Sequence, residues 1–179
     1  MNLDEASLTS VDSTMQFFTS PSRIDRELIA EFFMTFARAE YALKEAGLVK
    51  AVGCAGRFEI DWDRFADEIA EEFARCELEC DSSIRYLMEK PPQKEILTAQ
   101  GLDWSPRSPQ GQSRERFLVR SVTTVRNNLF HDGKKPGSPL IERDRELVAV
   151  ALQALKRFVT LHATVLSKFQ EMGPESGSA

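Results

Sequence analysis

Residues 24–48 read IDRELIAEFFMTFARAEYALKEAGL, and this segment decides the fold class of the 179-residue chain. Its apolar residues recur every three or four positions, which is the spacing of one face of an α-helix. Ser22 is a suitable N-cap and Gly47 a suitable terminator, so the segment predicts a long helix from Ser22 to about Leu48.

The same periodicity continues through the rest of the chain. Four further helices are predicted from it and from suitable capping residues, over residues 61–76, 83–90, 113–130 and 139–172. No segment alternates between apolar and polar residues with period two, so no sheet is predicted. The predicted fold class is therefore all-α, an antiparallel helical bundle of four to five helices.

The chain length predicts one domain. We expect a single helical domain over residues 21–172, with a flexible N-terminus over residues 1–20 and a disordered tail over residues 173–179. Residues 91–112 contain four prolines and are predicted to form an irregular insert within that domain.

Composition excludes several classes of protein. Hydrophobic residues make up 42% of the chain and charged residues 28%, which is typical of a folded domain. No apolar run approaches the roughly 20 residues needed to cross a bilayer, and the N-terminus lacks the pattern of a secretory signal. The three cysteines lack zinc-site spacing, and no GxxxxGK[ST] loop occurs. We therefore predict a cytoplasmic protein with no metal, no cofactor and no membrane contact.

Charge is distributed unevenly along the chain. The net charge is −5, yet residues 105–135 contain seven Arg or Lys and only two acids. One positive segment in an otherwise negative protein predicts a focused anion-binding site.

Residues 114–135, RERFLVRSVTTVRNNLFHDGKK, carry the chemistry of that segment. At about 100° per residue, one narrow apolar stripe is predicted to face the core: Leu118, Val122, Val125 and Leu129. Four polar residues lie together on the opposite face: Arg116, Arg120, Asn127 and His131. Arg126 lies on the border between the two faces.

The run Arg126-Asn127-Asn128-Leu129-Phe130-His131 resembles the R-x4–6-H motif of HEPN domains, in its R-N-x3-H form. The resemblance in pattern covers about residues 113–135 and is architectural elsewhere. It implies a compact α-bundle and, as in many members, a metal-independent endoribonuclease of a toxin–antitoxin or phage-defence system. Asp132 departs from the Gly that follows the His in many relatives, which leaves the role of His131 open.

The mechanism implied by the resemblance agrees with the side-chain chemistry. His131 titrates in the range needed for proton transfer, and Arg126 offers a planar charged fork to phosphate oxygens. Asn127, one turn before His131, can orient the imidazole or the phosphate. The resemblance further implies a homodimer with both motifs in one cleft, and products with 2′,3′-cyclic phosphate and 5′-hydroxyl ends.

Glu40 is the main supporting residue. It falls within the predicted apolar stripe of the first helix, which is formed by Ile29, Phe33, Phe36 and Leu43. A carboxylate there needs a partner, so we expect Glu40 to pair with Arg126 or Arg120 and to fix that guanidinium for phosphate. The alternatives are a purely structural salt bridge and a glutamate at the end of the bundle that reaches water.

Other polar and aromatic residues have predicted roles in RNA binding or in packing. Arg116, Lys134 and Lys135 are predicted to bind RNA phosphates, the alternative for Arg116 being pairing with the acidic remainder of the chain. His162 is expected to be a satisfied interior histidine on a continuous helical stripe. Trp62 is expected to anchor the second helix. Trp104 and Arg107 are predicted to form a substrate lip, an edge of the insert that contacts unpaired RNA.

Two other functions stay open at this point. One is a HEPN domain that binds RNA or nucleotide without cutting, and the other is a helical interaction module in which the motif is accidental. If the chain is a toxin, the family implies a cognate antitoxin, often of the nucleotidyltransferase type.

Overall fold

The computed structural model describes residues 26–53, 56–76, 81–99, 101–130 and 140–171. Several predictions fall outside these ranges and are not addressed by the structure: the two terminal segments, the Ser22 cap, His131, Asp132, Lys134 and Lys135.

The described residues are mainly helical, with two small antiparallel sheets. The helices are α1 (Arg26–Glu45), α2 (Trp62–Glu68), α3 (Ala70–Arg75), α4 (Ser82–Glu89), α5 (Arg114–Phe130), α6 (Leu140–Thr160) and α7 (Ala163–Glu171). The strands are β1 (Val49–Ala51), β2 (Phe58–Ile60), β3 (Gln93–Thr98) and β4 (Gly101–Pro106). The prediction of a helical fold is therefore right in its coarse form, and the prediction that no sheet occurs is wrong.

Helix α6 packs against α1, α4, α5 and α7. One hydrophobic core joins these helices. Helix α1 contributes Phe32, Phe36, Ala39 and Leu43 to it, whereas Phe33 is only half-buried. The buried face of α1 is therefore rotated slightly around the helix axis from the predicted apolar stripe. Glu40 consequently lies at the edge of the core and is half-buried.

The predicted irregular insert is largely the β3–β4 hairpin, with a register that runs from Gln93↔Pro106 to Thr98↔Gly101. Its apolar side chains do not alternate between a core face and a solvent face, since Leu97 is 81% exposed and Ile96 36%. A hairpin of this kind gives no period-two signal. The short β1–β2 hairpin turns through glycines, and Gly53 and Gly56 have φ values of 60° and 88°.

Two predicted helices are each divided in two. Asp61 caps the second helix as expected, accepting a hydrogen bond from the Arg64 amide, but Ile69 separates α2 from α3. The last helix breaks at Leu161 and His162, where α6 and α7 meet at a bend of 112°. Within the described part of the chain, no helix alone is long and apolar enough to cross a membrane, although the bent pair α6–α7 has the length and composition when counted together.

Candidate functional site

Helix α5 presents its polar face away from the core because its opposite side is firmly buried. The Ser113 hydroxyl caps the helix by accepting a hydrogen bond from the Arg116 amide at 3.2 Å. Of the predicted stripe, Leu118, Val122 and Val125 are buried and Leu129 is partly buried. The buried face is wider than predicted, because it also takes in Phe117, Val119, Ser121 and Thr124.

A cleft of about 360 Å³ lies between α1, the β1–β2 hairpin, the start of α2 and the outer face of α5. Four of the residues singled out from the sequence line it together: Glu40, Arg120, Arg126 and Asn127. The side chains of Arg126 and Glu40 are 34% and 28% exposed, so both are accessible from the cleft while resting against the protein.

Three contacts with described residues hold the Arg126 guanidinium. Its Nη1 donates a hydrogen bond to Asn127 Oδ1 at 3.0 Å, and its Nη2 lies 3.9 Å from Glu40 Oε2. Its central carbon lies 5.4 Å from the centre of the Phe36 ring, which is within the range of a cation–π contact.

Arg120 is held more tightly, by Asp63 of α2. Its Nε donates to Asp63 Oδ1 at 2.7 Å, and its Nη2 donates to Oδ2 in a second hydrogen bond. These hydrogen bonds with Arg120 lower the pKa of Asp63 below its ordinary value and raise the pKa of Arg120. Arg120 thus lines the cleft, but two of its guanidinium nitrogens already donate hydrogen bonds to the Asp63 carboxylate.

The β1–β2 hairpin supplies a third ion pair to the cleft, between Lys50 and Glu59 at 3.1 Å. The hydrogen bond with Glu59 raises the pKa of Lys50, which stays cationic at neutral pH. Each of the three described cations that line the cleft therefore has a carboxylate within 4 Å. The Arg126–Glu40 contact is the longest of the three.

Arg116 lies outside this cleft lining. Its Nε donates to Asp67 Oδ1 at 2.6 Å, and a second hydrogen bond joins Nη2 to Oδ2. This is the pairing with the acidic part of the chain that the sequence left open as the alternative to phosphate binding. The hydrogen bonds with Arg116 lower the pKa of Asp67.

The β3–β4 hairpin is anchored to the other flank of α5. Arg107, just after β4, donates from Nη1 to Thr124 Oγ1 at 2.5 Å and to the Arg120 carbonyl at 3.1 Å. Asn128 Nδ2 donates to the Gln93 carbonyl at 2.9 Å. The predicted substrate lip therefore has its arginine engaged as a tether, and burial lowers the pKa of Arg107.

Trp62 and His162 lie at the starts of helices α2 and α7. Trp62 begins α2, as expected of an anchor, and its ring also lines the cleft 5.2 Å from the Phe36 ring centre. His162 does not lie on a continuous helical stripe, because α6 ends before it. Its Nδ1 accepts a hydrogen bond from the Val165 amide at 3.3 Å, and its Nε2 lies 2.9 Å from Glu68 Oε2, so the ring caps α7.

Sequence reasoning missed the cleft residues contributed by the β1–β2 hairpin and by the first turn of α2. The missed ion-pair members are Lys50, Glu59 and Asp63. A signal was available for the hairpin, because glycines separate the short runs 49–52 and 57–60, which are rich in β-branched or aromatic residues. Nothing in the sequence pairs Asp63 with Arg120, which is 57 positions away.

Comparison of the chain with models of known families, with curated proteins and with solved structures finds no match in any of the three. Among the described residues, no three His, Cys, Asp or Glu side chains gather as a metal site would require.

Proposed function

We propose that this chain is an endoribonuclease that cuts RNA without a metal ion, with Arg126, Asn127 and His131 as catalytic residues. The observation that supports it is the cleft in which the end of α5 presents Arg126 and Asn127 beside Glu40 of α1. A transition state with extra negative charge at phosphorus needs a fixed, permanently charged donor. Arg126 meets that requirement, since an amide, a carboxylate and an aromatic face hold its guanidinium.

In the proposed reaction, a base removes the proton of a ribose 2′-hydroxyl, and the oxygen attacks the adjacent phosphorus. The bond from phosphorus to the 5′-oxygen breaks, and an acid protonates the leaving oxygen. The products carry a 2′,3′-cyclic phosphate and a 5′-hydroxyl. Because one imidazole cannot easily serve on both sides of the phosphorus, His131 from each of two protomers takes one role in a homodimer.

Glu40 and Arg120 have supporting roles in this proposal. Glu40 positions the Arg126 guanidinium. Because Oε2 of Glu40 lies 3.9 Å from Nη2 of Arg126, a phosphate can take the place of the carboxylate. Arg120 borders the phosphate site but stays bound to Asp63. The biological role that we propose is that of a cytoplasmic toxin or phage-defence effector acting on RNA, with a nucleotidyltransferase-type antitoxin as its partner.

A second candidate is a domain that binds RNA or nucleotide without cutting it. The pairing of charges favours it, because the described cations that line the cleft, Lys50, Arg120 and Arg126, each lie beside a carboxylate. These carboxylates oppose the additional negative charge that develops at phosphorus during cleavage, so they disfavour cleavage more than binding. The two candidates differ in whether bound RNA is cleaved.

The deciding experiment incubates the full chain with total RNA and with a short labelled RNA in the presence of EDTA. His131→Ala and Arg126→Ala are compared with Arg157→Ala, a control arginine of α6 whose Nε lies 3.6 Å from Asp81 Oδ2 outside the cleft lining. We expect EDTA-resistant cleavage with cyclic phosphate ends, loss of cleavage in the first two variants, and retention in the control.

Other outcomes have definite meanings. Tight RNA binding without cleavage by the folded wild-type dimer supports the second candidate. Cleavage that survives both His131→Ala and Arg126→Ala contradicts the proposed site. Circular dichroism and dimer mass establish that each variant is folded before it is compared.

A further inference from the structure

A second groove, of about 400 Å³, lies on the other flank of α1, where that helix meets α6 and α7. Its volume is within the range of sites that hold small organic ligands. Buried Val159 and half-buried Leu166 and Phe169 form its apolar walls. None of the residues that line it belongs to the cleft beside Arg126.

The polar end of this groove is formed by Arg38. Its Nη2 donates a hydrogen bond to the Phe169 carbonyl at 2.7 Å, and its guanidinium carbon lies 4.3 Å from the centre of the Phe169 ring. Its Nε is buried and has no hydrogen-bond acceptor among the described residues. A buried donor left without an acceptor destabilises the fold, and its presence calls for an explanation.

The rim of the groove carries one further ion pair. Lys156 Nζ lies 2.6 Å from Glu31 Oε1, and both side chains are substantially exposed. Together with Arg38, the described lining of the groove therefore carries two cations and one anion. A ligand with a single negative charge balances them, whereas a phosphate dianion would exceed them.

We propose that this groove binds a small amphipathic carboxylate. Its carboxylate lies at the Arg38 guanidinium, and a shift of the Arg38 side chain on binding exposes Nε, which then donates a hydrogen bond to the carboxylate. The hydrocarbon part of the ligand packs against Val159, Leu166 and Phe169. This site goes beyond the proposed ribonuclease function and does not depend on it.

The test uses sodium octanoate as the probe and 1-octanol as a neutral compound with the same chain length. Binding to the full-length protein is measured by isothermal titration calorimetry at constant ionic strength. We expect saturable binding of one octanoate per chain, at least about tenfold tighter than octanol, because hydrogen bonds to charged groups contribute the most. Equal binding of both compounds, or no binding of octanoate, would overturn the proposal.

Variants at the rim test the charge balance without removing Arg38, which also ties α1 to α7. Lys156→Gln is expected to weaken octanoate binding about two- to fivefold, and Glu31→Gln to strengthen it by a similar factor, as for partly exposed charges. Changes in the same direction for both variants would contradict an anion site.

A bulky side chain tests the location of the site. Thr160 is exposed at the edge of the groove, so Thr160→Phe is expected to block octanoate binding. Gln153→Phe, at an exposed position of α6 outside the groove lining, is the matched control and is expected to bind octanoate like wild type. Equal binding by the two variants would place octanoate elsewhere. None of these measurements involves RNA, so their failure is distinguishable from a failure of the proposed ribonuclease function.

Discussion

Arg126 of α5 and Glu40 of α1 face each other across the cleft, with 3.9 Å between Nη2 and Oε2. This separation is too long for a hydrogen bond, whereas Arg120 donates to Asp63 at 2.7 Å in the same cleft. Glu40 therefore orients Arg126 by charge without occupying its fork as fully as Asp63 occupies that of Arg120. The Glu40 carboxylate is therefore easier to displace from Arg126 than the Asp63 carboxylate is from Arg120.

Glu40→Gln tests this relationship. Under the proposed function, we expect the rate of RNA cleavage to fall about tenfold, because the loss of one charged interaction corresponds to roughly 1–2 kcal/mol. The free energy of unfolding is expected to change by less than about 1 kcal/mol, since the pair is partly exposed. Rates are measured with saturating labelled RNA, and unfolding with urea.

Glu59→Gln is the matched control for Glu40→Gln, because Glu59 also lines the cleft but is paired with Lys50. We expect it to retain most of the cleavage rate. Unchanged cleavage in a well-folded Glu40→Gln variant would remove Glu40 from the site.

Asp63→Asn should change how stability depends on pH. The hydrogen bonds with Arg120 hold the pKa of Asp63 below the ordinary value of 3.8 in the folded state. Ionised Asp63 therefore stabilises the fold above about pH 4, and this contribution disappears as the pH falls through the lowered pKa. At pH 7 the variant is expected to be less stable by about 1 kcal/mol or less, because both side chains are partly exposed.

Urea unfolding at several pH values between 2 and 7 measures the contribution of Asp63. The difference between wild type and Asp63→Asn should shrink towards zero at the acid end. Glu71→Gln, at an exposed position of α3, controls for the change in net charge. A difference that is independent of pH would show that ionisation of Asp63 does not contribute to stability.

Thr124→Val is expected to loosen the β3–β4 hairpin from α5. The Thr124 hydroxyl accepts a hydrogen bond from Arg107 and donates to the Arg120 carbonyl at 2.8 Å. Valine keeps the shape of the buried side chain but leaves the half-buried guanidinium short of an acceptor, at a cost of about 1–3 kcal/mol. Amide hydrogen exchange over residues 93–106 should become faster.

Thr123→Val is a closely matched control, because Thr123 also donates to the Arg120 carbonyl, at 2.9 Å, but does not bind Arg107. We expect hairpin exchange in this variant to match that of wild type. Faster exchange in both variants to the same extent would assign the effect to α5 rather than to the tether.

The sequence predicts α5 well because three signals agree there. Ser113 caps the helix, Leu118, Val122 and Val125 repeat with helical spacing, and the polar residues collect on one side. The placement of Glu40 near Arg126 followed from that same periodicity, although the stripe of α1 was rotated. These are local patterns, and local patterns are what a sequence displays most directly.

The features that the sequence did not predict depend on contacts between distant segments. Asp63 meets Arg120 only after α2 packs on α5, and the β3–β4 hairpin is held by Arg107 and Asn128 rather than by an amphipathic strand face. The bend before α7 contains neither Gly nor Pro, so the apolar periodicity runs through it unbroken. The side chain that caps the new helix there is His162, which is not among the residues usually expected at an N-cap.

His162→Ala and His162→Asn test that cap. Alanine removes the acceptor for the Val165 amide, and we expect a loss of about 1 kcal/mol in the free energy of unfolding. Asparagine is a good N-cap residue, so it should restore most of that loss even though it gives up the contact with Glu68. Both variants should cleave RNA at the wild-type rate under the proposed function, because His162 does not line the cleft. Equal destabilisation by Ala and Asn would assign the stability to the Glu68 contact instead of the cap. Loss of cleavage in a folded His162 variant would mean that this histidine, and not His131 alone, serves the reaction.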